Sequence, residues 1–248
     1  MEKIKNFFKE IKWYEYLFVV VALVVIIALS IYYNSHIFYI LSSTLGIVGV
    51  LFLSKGNIVG ILICITQLIF YSIISFLNGF YGEIVNNLCV TLILYIVNLV
   101  TWIKNLYNKN GQVKINPHIT WQEIVIAISC VLALSVGMYF ILDVFNTNML
   151  FVSTLSFTFN TLAIYFLARR SFLNFVFYIF SNITNFIMWG TLIATTNDYS
   201  ILITIINIAV YFLLNCYGVY NWLRTQKEQN YEFEDASFDK IMKILKEK

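Results

Sequence analysis

The chain has 248 residues, of which 60% are hydrophobic, 18% aromatic and only 12% charged. Soluble domains carry about 25% charged residues, so this composition has too little charge to cover a water-facing surface. It excludes a soluble globular protein and indicates an integral membrane protein. A single proline and ten glycines, without blocks of alternating polarity, argue against a transmembrane barrel. The spans are therefore predicted to be helices, which satisfy their backbone hydrogen bonds internally.

Eight apolar runs are long enough to cross a bilayer, which requires roughly 17–25 residues. In chain order they cover approximately Trp13–Tyr33, Ile37–Leu53, Ile58–Leu77, Ile84–Trp102, Ile124–Leu142, Leu150–Leu167, Phe172–Ala194 and Ile201–Trp222. The connections are short and polar, except for residues 104–118, which hold the only proline. The predicted fold class is an all-α integral membrane protein with eight transmembrane helices.

The positions of the basic residues predict the orientation, because lysine and arginine in short loops stay on the cytoplasmic side. When the N-terminus is placed in the cytoplasm and eight helices alternate, all 16 basic residues fall on that side. The outer loops then carry only Glu83, Asp143 and Asp198. Both termini are therefore predicted to be cytoplasmic. The net charge of +3 follows from this topology and does not indicate a nucleic-acid partner.

Both ends of the chain are predicted to lie on the membrane surface as amphipathic segments. Within each segment the apolar residues share one helical face: Ile4, Phe7, Phe8 and Ile11 in the first, and Phe238, Ile241, Met242 and Leu245 in the second. Residues 232–235 are predicted to form a solvated linker before the second segment.

An internal repeat is predicted from two pairs of similar tripeptides. Ser43-Thr44-Leu45 recurs as Ser153-Thr154-Leu155, and Trp102-Ile103-Lys104 recurs as Trp222-Leu223-Arg224. Chance alone could produce such tripeptides, but the topology gives a better argument. Both three-helix units begin outside and end inside, so they are parallel repeats, and one inverting helix must separate them.

This repeat divides the chain into five parts. Residues 1–36 are a cytoplasmic surface segment followed by an extra transmembrane helix, and residues 37–104 are the first three-helix repeat. Residues 105–149 contain a loop and the linker helix, residues 150–224 the second repeat, and residues 225–248 a cytoplasmic tail. The 3+1+3 core is similar to that of SWEET-type sugar transporters, in which the substrate site lies at the repeat interface near the membrane midplane.

Uncharged polar and aromatic residues follow one face of four predicted helices, at membrane depth. The candidate substrate-binding residues are Gln67, Tyr71, Asn87, Tyr95, Asn98, Tyr178, Asn182, Asn185, Trp189, Asn207, Tyr211 and Asn215. One interpretation is hydrogen bonding between helices, which amides commonly provide. The other is a ligand site, which the matched positions of these stripes in the two repeats favour.

The chemistry of these residues restricts the ligand. Amides suit hydroxyl and carboxamide groups, whereas tyrosine and tryptophan faces suit a flat ring and favour a cation. No lysine or arginine lies at depth to hold a phosphate, and no carboxylate lies mid-helix to relay protons. Passive uptake of a neutral or weakly cationic heterocycle with hydroxyl groups is therefore predicted. The four cysteines lack metal-ligand spacing, and no metal or cofactor is predicted.

The sequence resembles the PnuC family of bacterial vitamin transporters, whose best-known members carry nicotinamide riboside. The resemblance rests on the order of the helices, on the inner turn Ser54-Lys55-Gly56, on residues 78–83 (Asn-Gly-Phe-Tyr-Gly-Glu) leading into Asn86-Asn87, and on residues 217–222 (Tyr-Gly-Val-Tyr-Asn-Trp). It implies a homotrimer in the bacterial inner membrane. It also implies facilitated diffusion of an unphosphorylated vitamin that a cytoplasmic kinase then traps by phosphorylation.

One departure from the family pattern concerns the substrate. Members for nicotinamide riboside are characterised by two tryptophans four residues apart, and this chain has no such pair. The corresponding stretch holds Tyr178 followed by Asn182, and Asn185 followed by Trp189. An aromatic residue followed four positions later by asparagine is similar to the thiamine branch, so thiamine is the alternative to nicotinamide riboside.

Two other classes of function remain to be compared with transport. A membrane-embedded enzyme would need a carboxylate pair, a His/Cys/Asp cluster or a nucleophile motif, and His36 and His118 lie at helix ends on opposite sides. A substrate-capturing subunit of a larger transporter would need an ATPase partner, because the chain itself has no phosphate-binding loop.

Overall fold

The computed structural model describes residues 12–108, 110–147, 149–196 and 199–246, without the side chains of residues 82, 200 and 231–246. The amphipathic segment predicted at Ile4–Ile11 lies outside these residues. Within them, eight helices are long and apolar enough to cross a membrane, which confirms the eight predicted spans.

The helices follow the predicted order with small shifts at their ends. They are α1 (Trp13–Tyr32), α2 (Ile37–Ser54), α3 (Val59–Leu77), α4 (Tyr81–Val85, Asn86–Thr91 and Leu92–Lys104 without a break), α5 (Trp121–Val144), α6 (Leu150–Ala168), α7 (Leu173–Thr196) and α8 (Leu202–Lys246). The prediction of a linker at residues 232–235 is wrong, since α8 continues through it. No glycine or proline occurs between residues 219 and 246 to end the helix.

Helix α4 contains a π-helical segment at Asn86–Thr91. A π-turn inserts an extra residue into an α-helix and is frequent at functional sites. Both Asn86 and Asn87 are buried there, and Thr91 donates to the Asn86 side-chain oxygen at 3.4 Å. The segment widens α4 at the depth where polar residues accumulate.

The helices pack as two groups that meet along the centre of the molecule. In one group α2 packs along α3, and in the other α6 packs along α7. Helix α8 contacts both α7 and α2, while α4 contacts both α3 and α6. The two long helices that follow these hairpins therefore join the groups.

Two tryptophans fix the ends of the central helices on the side of the bundle that holds Lys55 and Arg169, which we call the inner side, the opposite side being the outer side. The Trp102 indole in α4 donates to the Leu167 carbonyl of α6 at 3.0 Å, and the Trp222 indole in α8 donates to the Leu53 carbonyl of α2 at 3.0 Å. Both indoles are fully buried, and their ring centroids lie 5.8 Å apart. Each connecting helix thus caps the end of a helix in the other hairpin.

Helices α1 and α5 begin with matching ion pairs. Both start Trp-x-Glu, and the glutamate lies in the first helical turn. Glu15 pairs with Lys55 at 2.7 Å, whereas Glu123 pairs with Arg169 at 2.5 Å. Lys55 and Arg169 are the residues that follow α2 and α6. Helices α1 and α5 are therefore each tied to the end of the helix that follows them in the chain.

The connection between α4 and α5, described at residues 105–108 and 110–120, packs against the inner side of the bundle. The Val113 amide donates to the Gly56 carbonyl at 2.8 Å. The Gln229 side chain on α8 accepts from the Ile115 amide at 2.8 Å and donates to the Val113 carbonyl at 3.1 Å. Val113 and Ile115 are both buried. The loop therefore adds apolar side chains to the inner end of the helix bundle.

Candidate functional site

A cavity of about 140 Å³ lies inside the bundle, between α2, α3, α4, α6, α7 and α8. Ten of the twelve predicted site residues line it: Gln67, Tyr71, Asn87, Tyr95, Tyr178, Asn182, Asn185, Asn207, Tyr211 and Asn215. The polar stripes of α3, α4, α7 and α8 therefore face one common space. The lining contains no lysine or arginine.

Two predicted site residues lie outside the lining. Asn98 is fully buried, and its side chain donates to the Ile164 carbonyl at 3.4 Å, so it bonds α4 to α6. Trp189 is fully buried at the outer end, where its indole donates to the Tyr71 hydroxyl at 3.3 Å. The ring of Phe80 packs edge-on against Trp189, with the centroids 4.9 Å apart.

Aromatic and apolar side chains line the cavity toward its two ends. Toward the outer end, Tyr39, Tyr71 and Ile74 line it, and the Asn78 side chain donates to the Tyr39 hydroxyl at 2.7 Å. Toward the inner end, Leu53 and Phe175 line it and pack in the apolar cluster that contains both buried inner tryptophans.

A pair of tyrosines lies in the inner half of the cavity. The hydroxyls of Tyr95 on α4 and Tyr178 on α7 are 3.3 Å apart, so they form a hydrogen bond between these two helices. Each tyrosine also lines the cavity. The pair offers aromatic edges and hydroxyls to a ligand while it connects α4 to the hairpin of α6 and α7.

Several polar atoms around the cavity are buried without a close hydrogen-bond partner in the described protein. Asn87 Nδ2 and Asn182 Nδ2 have none, whereas Asn207 Oδ1 and the Tyr211 hydroxyl have only each other's side chains nearby. A buried donor or acceptor left unpaired costs about 1–3 kcal/mol, so such atoms are usually satisfied by water or ligand. Their residues lie on α4, α7 and α8, and they supply both donors and acceptors for a polar ligand.

The space next to α2 depends on the absence of a side chain at Gly46. A Cβ atom at this position would lie 1.6 Å from the Tyr211 hydroxyl oxygen. Gly46 therefore lets the Tyr211 ring of α8 reach across the cavity to α2. The polar stripes predicted from the sequence do not include this glycine, because it has no side chain that could mark it as polar.

Glu83 is the main functional candidate that the sequence reasoning missed. It was placed in an outer loop, but α4 begins at Tyr81, and Glu83 is only 5% exposed and lines the cavity. The prediction that Glu83 lies in an outer loop is therefore wrong, and a carboxyl group lines the cavity from the first turn of α4. The apolar run starts at Ile84, so a helix predicted from hydropathy alone begins just after Glu83 and leaves it out. Residues 80–83, which combine aromatic residues with a helix-compatible acid, were the available signal.

Small hydroxyl residues complete the lining and are not among the predicted site residues. They are Ser42, Ser43, Thr91, Ser156, Ser181 and Thr204. Some of them hold the amides in place: Gln67 donates to the Ser42 hydroxyl at 3.2 Å, and the Ser156 hydroxyl donates to Asn185 Oδ1 at 2.9 Å. Serine and threonine are tolerated throughout transmembrane helices, so their presence in α2 and α6 does not by itself indicate a site.

Comparisons with known proteins agree with this geometry. The family described as nicotinamide mononucleotide transporter matches residues 36–224. The fold is similar to that in the crystal structure of the vitamin B3 transporter PnuC, with a TM-score of 0.78 and 18% sequence identity. The match covers 88% of this chain and 94% of that one. No curated protein matches the sequence.

Proposed function

The chain belongs to the nicotinamide mononucleotide transporter family, and we propose that it carries an unphosphorylated vitamin, nicotinamide riboside, by facilitated diffusion. It is a transporter and not an enzyme, since the family consists of transporters. The bacterial inner membrane with both termini in the cytoplasm is the proposed location. The observation that carries the substrate proposal is the cavity inside the bundle that is lined by amides and tyrosines.

The cavity lining supports a nucleoside-like ligand rather than a nucleotide. The unpaired amide groups of Asn87 and Asn182 suit ribose hydroxyls and a carboxamide. A phosphate would normally require arginine, lysine or a helix N-terminus, whereas the lining holds no basic residue and contains the Glu83 carboxyl group. The proposed substrate therefore lacks the phosphate that the family description includes.

Transport is proposed to occur by relative movement of the two helix groups around this cavity. The proposed parallel repeats, residues 37–104 and 150–224, correspond to these groups. The paired indole contacts of Trp102 and Trp222 support that assignment, because each caps a helix of the opposite repeat. The hydrogen bond between Tyr95 and Tyr178 also crosses this boundary. Such a site at a repeat interface suits alternating access.

Net uptake is proposed to depend on the cytoplasm rather than on a coupled ion. A uniporter only equilibrates its substrate, so a cytoplasmic vitamin kinase would maintain the gradient by phosphorylating each molecule that enters. The phosphorylated product would fit the cavity poorly, because its lining holds the Glu83 carboxyl group and no basic residue.

A homotrimer is the proposed assembly, with the lipid-exposed faces of the helices supplying the contacts between subunits.

Thiamine is the alternative substrate, and the placement of Trp189 favours it. The cavity contains no tryptophan, since the only predicted site tryptophan packs behind Tyr71. Tyr178 and Asn182, which are four residues apart, both line the cavity. A site that stacks its ligand on tyrosines and binds it with amides suits the rings and the hydroxyl of thiamine as well.

Calorimetry on the purified protein tests the proposed substrate class. We expect nicotinamide riboside or thiamine to bind, and nicotinamide mononucleotide or thiamine phosphate to bind much more weakly. The paired phosphorylated compounds serve as controls because each differs from its parent by the phosphate alone. Equal or tighter binding of the phosphorylated forms would contradict the proposal.

A further inference from the structure

The outer half of the cavity holds a carboxyl group without a cationic partner. Glu83 on α4 is 5% exposed, and among the described residues it forms no ion pair. Its side chain lies against the Ser156 hydroxyl of α6 and close to Tyr71 of α3. All three side chains line the cavity.

The Ser156 hydroxyl does not satisfy this carboxyl group. A serine has one hydroxyl hydrogen, and that of Ser156 is also directed at Asn185 Oδ1, 2.9 Å away. A carboxylate has about four acceptor sites, so one shared serine hydroxyl leaves most of those on Glu83 unfilled. Burial without a cationic partner disfavours the ionised form of a carboxyl group, and a positively charged ligand in the cavity would stabilise that form.

We propose that Glu83 is a specificity-determining residue that selects substrates with a permanent positive charge on a nitrogen heterocycle. This inference rests on the proposed transport function but not on the identity of the vitamin. Nicotinamide riboside carries a pyridinium ring and thiamine a thiazolium ring, and neither cation can lose its charge by deprotonation. Glu83 pairs with that ring, while the tyrosine faces of the cavity add cation–π attraction.

The expected preference follows from the strength of a charge-assisted contact in a buried site. Replacing the carboxylate by a neutral amide should weaken binding of a cationic ring by about ten- to a hundredfold. Binding of a neutral ring of the same shape should change little, because it makes no ion pair with either side chain. General damage to the cavity would weaken both ligands, so the ratio of the two affinities reports the effect of the charge.

The experiment measures this ratio by calorimetry with full-length protein in detergent. The ligand pairs are nicotinamide riboside with its reduced, uncharged dihydropyridine form, and thiamine with deazathiamine, in which a neutral thiophene replaces the thiazolium. Wild type, Glu83→Gln and the control Glu228→Gln are compared. Glu228 is an exposed acid that pairs with Arg224 on α8, far from the cavity lining.

For whichever vitamin binds, we expect wild type and Glu228→Gln to bind the cationic form more tightly than its neutral analogue. Glu83→Gln should lose that preference. If Glu83→Gln does not fold, Glu83→Asp provides the test, because the shorter carboxylate should lower the ratio below that of wild type. An unchanged affinity ratio in the folded variant, with the vitamin still bound, would overturn the role proposed for Glu83 but not the proposed transport function. If wild type binds neither member of either pair, the proposed function fails together with this inference.

Discussion

Trp189 donates its indole hydrogen to the hydroxyl of Tyr71, 3.3 Å away, and only Tyr71 reaches the cavity. The tryptophan thus supports a lining residue from behind. Trp189→Phe should keep the packing against Phe80 and lose the hydrogen bond, which costs about 0.5–1.5 kcal/mol of stability. Vitamin affinity should fall only a few-fold. Tyr71→Ala should reduce affinity more strongly, and calorimetry with thermal unfolding compares the two. A larger affinity loss for Trp189→Phe would place the tryptophan in the site.

Asn182→Leu should abolish measurable vitamin binding, with a loss of at least about tenfold, while the protein stays folded. Asn182 Nδ2 is buried beside the cavity without a partner, so its removal breaks no hydrogen bond of the ligand-free protein. The matched control is Asn98→Leu, because Asn98 lies outside the lining and bonds to the Ile164 carbonyl. Calorimetry should give wild-type affinity for the control. Wild-type affinity in Asn182→Leu as well as in the control would show that the site does not lie at this part of α7.

Gly46→Ala should fill the cavity at α2. The new methyl group would overlap the Tyr211 hydroxyl, and overpacking of this kind costs about 1–3 kcal/mol. We expect weaker vitamin binding and a lower unfolding temperature. Gly190→Ala in α7 is the control, since a Cβ atom there meets nothing within 4 Å. That variant should be neutral or slightly stabilising, because alanine favours the helix. Equal effects of the two substitutions would argue against the close approach of Tyr211.

The two inner ion pairs should differ in their contribution to stability because they differ in burial. The side chains of Glu15 and Lys55 are 3% and 12% exposed, whereas those of Glu123 and Arg169 are 20% and 43% exposed. Glu15→Gln removes the carboxylate of a nearly buried ion pair, and breaking such a pair costs about 3–5 kcal/mol. Glu123→Gln should cost at most about 1 kcal/mol, since solvent screens the remaining charge. Thermal unfolding in detergent compares them, and a greater loss for Glu123→Gln would contradict this ranking.

The sequence predicted the eight spans well because bilayer thickness imposes a length that apolar runs must meet. Ten of the twelve residues predicted for the site line the cavity, because amides at helical spacing in a membrane usually face the interior of the bundle. Periodicity gives the face of a helix but not the depth at which a cavity ends. For this reason Asn98 and Trp189, which continue two of the stripes, were included although they lie beyond its inner and outer ends.

Other features depend on contacts that no local pattern records. The polarity of Glu83 ends the apolar run and so predicts a loop, whereas the helix begins at Tyr81 and the carboxyl group contacts Ser156 of α6 inside the bundle. The sequence also predicts the first helix as an addition to the core and α5 as a linker. Their shared Trp-x-Glu start and matching ion pairs link them, but only the partners of Glu15 and Glu123 reveal this correspondence.

Uptake by purified protein in liposomes is the most direct test of facilitated vitamin transport. Labelled nicotinamide riboside and thiamine are supplied outside, with and without the corresponding kinase and ATP inside, and empty liposomes provide the background. We predict equilibration of at least one vitamin without any ion gradient, and accumulation above the outside concentration only when its kinase is enclosed. Failure of both vitamins to enter faster than the background, or accumulation of either without a kinase, would contradict the account.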